Sequence, residues 1–151
     1  MKTTQVCQIL LFLLAGIGLF NGCIPKIDPA ARFAGVFDCQ TTLVESNIIA
    51  QSASSRSSYI GKIVLVRVAS DKLEVSVEGR PDLTVVAELS GSSLLIRKQI
   101  IQIKSVNGYI GPAAALGEGS VDANTVSVNY LASAGSNSYS ITVQGRGLRR
   151  K

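Results

Sequence analysis

Chemistry needs side chains that attack, exchange protons or hold metals, and this chain is short of them. It has no histidine. That removes Ser-His-Asp and Cys-His nucleophilic catalysis and all histidine metal ligation. Serines are plentiful, but they fall in turn-like stretches or on polar strand faces. The carboxylates Glu74, Glu78 and Glu88 read as solvated charge on outer faces, and no spacing forces two of them into an acid/base pair. No Asp/Asn-rich segment has the spacing of a calcium loop. Gly145-Arg146-Gly147 lacks the strand–turn–helix context of a phosphate loop. The expected catalytic set, metal set and cofactor are therefore none, and the protein reads as not an enzyme. Of the three cysteines, Cys7 and Cys39 sit in ordinary surroundings. Cys23 does not: it ends an apolar run and follows a glycine.

That run, Ile9 to Phe20, is twelve residues long. A helix needs about 20 residues to cross a bilayer core of about 30 Å. Twelve fit the apolar region of a secretory signal, with Lys2 holding the start of the chain on the cytoplasmic side. A soluble helix here should show a polar face, and none is seen. Leu19-Phe20-Asn21-Gly22-Cys23 resembles the lipoprotein box of bacterial lipoproteins. Gly22 supplies the small residue before the cysteine, while Phe20 stands where the family prefers Leu. Ordinary signal cleavage nearby is the competing reading. The resemblance implies that residues 1–22 are removed. It also implies that Cys23 carries a thioether diacylglycerol, usually with an amide-linked acyl chain such as palmitate. Two or three chains make an anchor effectively permanent, at about 0.8 kcal/mol per buried methylene. In the enterobacterial sorting pattern Asp follows the cysteine of inner-membrane lipoproteins. Ile24 stands there, which implies an outer-membrane lipid anchor in the cell envelope.

Removal of residues 1–22 from the 151-residue chain leaves one domain's length. The composition, 46% apolar and 17% charged, is that of a globular chain. The net charge of +5 owes much to the end of the chain, and residues 147–151 read as a solvated basic tail. The other basic residues are scattered and the chain is exported, so nucleic acid is not an expected partner. With Cys7 removed and Cys23 lipidated, Cys39 has no partner for a disulfide. It is expected buried and inert.

Residues 24–31 read as an extended tether, because Pro25 and Pro29 disfavour helix. Phe33 to Val44 alternates as a first strand with Phe33, Gly35, Phe37, Cys39, Thr41 and Leu43 on one face. Glu45 to Ser58 is Ser-rich and reads as a long loop. Tyr59–Ala69 is apolar on both faces near Ile63–Val66, as in a strand covered on both sides. Leu73, Val75 and Val77 form the clearest half-buried strand. Residues 79–82 (GRPD) read as a turn, followed by Leu83, Val85, Ala87 and Leu89 inward. Leu94–Arg97 and Gln99–Val106 follow as separate pieces, with Asn107-Gly108 as a tight turn. Residues 109–116 read as irregular around Pro112. Val126, Val128 and Tyr130 alternate, then a loop over 133–138, then Tyr139, Ile141 and Val143. Eight or nine short strands with regular turns predict an all-β fold. The expected form is an antiparallel up-and-down barrel of about eight strands, with a β-sandwich as the alternative.

Several short patterns resemble the small lipocalin-like, calycin-type lipoproteins of Gram-negative bacteria. Gly35-Val36-Phe37 is similar to the Gly-x-Trp start of lipocalin barrels, and a long first connection follows. Residues 89–99 and 116–130 carry the rest. Phe37 replaces the family tryptophan, and the chain has no Trp. The resemblance implies a barrel over residues 32–146 that holds a small apolar ligand under a lid at 45–58. Its interior would be Phe33, Phe37, Val75, Val85, Val128, Tyr130 and Ile141. The other reading is a structural or interaction module with a filled core. Partners are then the membrane, through Cys23, and in the first reading the apolar ligand.

Overall fold

Apolar residues at alternate positions give most strands one buried face, and a sheet with one apolar face must close on something. Here it closes on itself. The computed structural model describes residues 28–47, 52–104, 109–135 and 139–151. A short helix, α1 (Pro29–Phe33), leads into eight strands: β1 (Gly35–Asn47), β2 (Ser52–Ala69), β3 (Lys72–Val77), β4 (Arg80–Ser90), β5 (Ser93–Lys104), β6 (Ile110–Val121), β7 (Thr125–Ala134) and β8 (Tyr139–Arg149). They form a closed antiparallel up-and-down barrel in which each strand pairs with its sequence neighbour and β8 returns to β1. The expected all-β barrel is what is found, with eight strands and not a sandwich.

The inward faces are those read from period-two alternation. Phe37, Cys39, Thr41 and Leu43 of β1, Leu73, Val75 and Val77 of β3, Leu83, Val85, Ala87 and Leu89 of β4, and Tyr139, Ile141 and Val143 of β8 are all buried. Outward positions carry Asp38, Gln40, Lys62, Glu88, Asn129, Gln144 and Arg146 among others. This apolar-in, polar-out order is the reverse of a barrel that spans a bilayer. Among the described residues no helix is long and apolar enough to cross a membrane.

The barrel has two unlike ends. One is covered by α1, where the stretch read as extended tether is helical from Pro29. Proline is well suited to the first helical position, which needs no N–H donor. Asp28 caps the turn, accepting from the Ala30 and Ala31 N–H groups at 3.0 and 3.2 Å. Phe33, expected in the first strand, is the last residue of this helix and still packs into the core. The Arg149 guanidinium lies 5.1 Å from the centre of the Phe37 ring and donates to the carbonyls of Arg32, Phe33 and Ala34. The stretch read as a basic tail is thus laddered through Arg149, which pairs with Phe37; only Arg150 and Lys151 lie beyond the strand.

Further departures have local causes. The expected loop over 45–58 is mostly strand: Glu45 pairs with Ser55 and Thr42 with Ser58. Serine is a weak strand former, but the ladder to β1 overrides propensity. Only residues 48–51 of it fall outside the described chain. β2 is not covered on its outer face, where Val66 and Val68 are exposed. The turn before β4 is Glu78-Gly79, so Arg80 and Pro81 belong to the strand. Leu94–Arg97 and Gln99 onward form one strand with a register shift between Ile96 and Gln99. Residues 110–116, read as irregular, are part of β6. Pro112 pairs across to Gln102 of β5, and the ladder to β7 begins only at Ala114. The missing proline N–H therefore falls where β6 has a neighbour on one side only.

Candidate functional site: the mouth of the barrel

All seven residues expected to line a ligand cup, Phe33, Phe37, Val75, Val85, Val128, Tyr130 and Ile141, fall in one core cluster. They pack together with the other inward side chains. Phe37, Ile63, Leu73, Val75, Leu83, Ile141 and Val143 have no surface that a water-sized sphere can reach. Gly145 shows how full the interior is: a Cβ there would sit 2.3 Å from Ile63 Cδ1. The largest fully buried side chain, Tyr130, spans the core to donate to the Leu83 carbonyl at 2.6 Å. Burial pushes its hydroxyl pKa well up.

The end opposite α1 is closed by charge. Glu45, at the end of β1, is the next inward position after Leu43 and is 3% exposed. Its Oε1 accepts from Arg80 Nη1 at 2.9 Å and its Oε2 from the Tyr139 hydroxyl at 2.6 Å. Arg80 also grips Asp82 side-on, through Nε and Nη2 at 3.0 Å each. Nη2 donates further to the Lys104 carbonyl at 2.9 Å. Asp82 Oδ2 accepts the Lys104 N–H at 2.9 Å. Tyr109 stacks on Tyr139 with ring centres 5.2 Å apart, and the Tyr59 ring packs against the same core.

Burial works to raise the Asp82 pKa, but the Arg80 guanidinium and the Lys104 N–H outweigh it and hold the carboxyl below its ordinary value. For Arg80 burial works downward, and the two carboxylates outweigh it and raise it. The guanidinium has five N–H groups, and its bonds to Glu45, Asp82 and the Lys104 carbonyl take up four. This is a satisfied plug: it ties β1, β4, β5 and β8 together at the rim.

Three of its members were invisible as a group. In the sequence Arg80 and Asp82 fall in a stretch with turn character and Glu45 at the head of a Ser-rich one. Counting inward positions two residues past Leu43 would have put Glu45 inside. Just below the plug, Thr41 is fully buried and its hydroxyl has no partner. Cys39 is buried as expected. Burial first, then the neighbouring Asp38 charge, raises its thiol pKa against a lowering contact from the Ile63 N–H. The carboxylates Glu78 and Glu88 lie outside and pair with Lys62 and Arg97 at 2.7 and 2.6 Å. Among the described residues no three His, Cys, Asp or Glu side chains gather as a metal site would need. Cys23 and the rest of the expected signal lie outside the described residues.

The chain matches no protein-family profile and no curated protein. Among solved structures it is similar to a crystal structure from Bacteroides ovatus of a protein of unknown function. The identity is 8% and the TM-score 0.49, over 78% of this chain and 42% of that one. The chain thus spans less than half the length of that neighbour.

Proposed function

We propose that the protein is a non-catalytic, lipid-anchored module of the cell envelope, at the outer membrane, whose barrel is filled by its own side chains and acts through its outer surface. One observation carries the filled-core part: Phe37, Ile63, Leu73, Val75, Leu83, Ile141 and Val143 from five strands are each 0% exposed, so no water-sized sphere touches them. An acyl ligand would have to displace a close-packed interior, and overpacking even by a methylene or two costs about 1–3 kcal/mol. The anchor rests on the run Ile9–Phe20 ending in Gly22-Cys23. A polar outer wall suits a domain held beside a membrane by lipid and not within it.

The test has two arms. Mass spectrometry of the mature N-terminal peptide should find Cys23 first and acylated, and Cys23→Ser should abolish the modification. An unmodified Cys23 within a longer peptide overturns the anchor. Titration of the purified protein with a fluorescent fatty acid should give no saturable binding. Saturable one-to-one binding overturns the filled core and restores the ligand reading.

A further inference from the structure

The outer wall over β5, β6 and β7 is unlike the rest of the surface. Ladder register places its outward residues in rows. Ile100 lies beside Ala114, and Leu116 beside Leu131; Leu95 lies beside Glu118 and Lys104 beside Ile110. Five of the exposed large apolar side chains are here: Leu95, Ile100, Ile110, Leu116 and Leu131, with Ile100 65% and Ile110 72% exposed. Pro112 and Ala114 join them into one stripe along β6. A groove of about 800 Å³ lies at its Glu118 end, bounded by Leu95, Lys98, Leu116 and Leu131. Its floor is Gly117, where a Cβ would lie 2.4 Å from Tyr130 Cβ. No side chain can fill the groove from that position. The break in register between Ile96 and Gln99 opens its other side.

A contiguous apolar face with a polar rim marks an interaction surface, and the rim indicates the occupant. Arg97 is already paired with Glu88. Lys98, Lys104 and Glu118 form no ion pair among the described residues. The cation Lys104 stands at one end of the stripe and the anion Glu118 at the other, with Ala114 midway between Ile110 and Glu118 on β6. We propose that this face binds a second copy of the chain about a two-fold axis that crosses the strands at Ala114. Such an axis lays Leu116 over the partner's Pro112. It brings Glu118 over the partner's Ile110, one strand spacing (about 4.8 Å) from the partner's Lys104. Each copy then supplies both halves of two equivalent ion pairs around an apolar centre. Three strands about 4.8 Å apart over ten residues of about 3.3 Å cover about 450 Å² per copy, the range of a weak, reversible dimer. The inference is independent of whether the chain carries a lipid.

The axis position makes the proposal testable in the full chain, because a residue on the axis meets its own copy. Ala114→Cys in cells should give a disulfide-linked dimer of twice the chain's mass on a non-reducing gel. Val66→Cys on β2, across the barrel and the more exposed of the two positions, should not, nor should the parent chain. On the Ala114→Cys background, Glu118→Lys should lower the cross-linked fraction about fivefold by setting like charges together. Adding Lys104→Glu should restore it. No cross-link at Ala114, equal cross-linking at Val66, a product with the mass of a different protein, or a Glu118→Lys variant that cross-links as before would each overturn the dimer.

Discussion

The Tyr139 hydroxyl donates to Glu45 Oε2 at 2.6 Å, joining the first residue of the last strand to an inward carboxylate on the first. The bond crosses the β1–β8 closure near the rim, so it holds the barrel shut where the chain's two halves meet. Tyr139→Phe keeps the ring on Tyr109 and removes the hydroxyl that donates to Glu45. A hydrogen bond to a charged group is worth about 1.5–3 kcal/mol, and urea unfolding should show a loss in that range with an unchanged slope. A loss under about 0.5 kcal/mol would mean that the closure does not depend on the plug.

Asp82 gives the plug a pH signature. Its folded pKa lies below its ordinary value. A depressed acid contributes stability above its unfolded pKa, near 3.9, and that contribution is lost as pH falls through the folded value. The protein should therefore hold its melting temperature from neutral pH down to about pH 4 and lose it below. Asp82→Asn should start lower at neutral pH and show a flatter acid limb. Parallel acid limbs in the two proteins would remove Asp82 from the account.

Thr41 presents the opposite case, a fully buried hydroxyl without a partner. Valine has nearly the same shape without the polar atom. An unsatisfied buried polar group costs about 1–3 kcal/mol, so Thr41→Val should stabilise the barrel by about 1 kcal/mol. Thermal unfolding that shows a destabilised variant would mean the hydroxyl is satisfied in solution.

Gly145 measures how tightly the interior is filled. A methyl group there meets Ile63 Cδ1, and overpacking of this kind costs about 1–3 kcal/mol. Gly145→Ala should be destabilised accordingly in a chemical unfolding experiment. Ile63→Val with Gly145→Ala should recover part of the loss, since the smaller side chain vacates the clash. A Gly145→Ala protein as stable as the parent would show free volume in the barrel.

By itself the sequence determined the strand alternation, the inward residues and, through short turns, the meander. These are local: a period of two assigns each residue to a face wherever one face is buried, and Leu73-Glu74-Val75-Ser76-Val77 needs no distant partner to be read. It also carried the apolar run and Cys23, whose meaning lies in neighbouring residues alone. Where local preference was weak, reading stopped short. Residues 52–58 are strand because β1 pairs with them, and Pro112 is tolerated because the ladder to β7 ends at Ala114↔Ser133, short of it; neither fact is written in its own neighbours. The packing inside the barrel was set only by closure, which places Gly145 against Ile63 and Tyr130 against Leu83, residues far apart in the chain. The plug arose the same way. Glu45, Arg80, Asp82 and Tyr139 come from three strands and meet only when β8 pairs with β1. Burial of Glu45 is tolerable because that meeting supplies its partners, a Coulombic and hydrogen-bonding compensation that only the tertiary structure could provide.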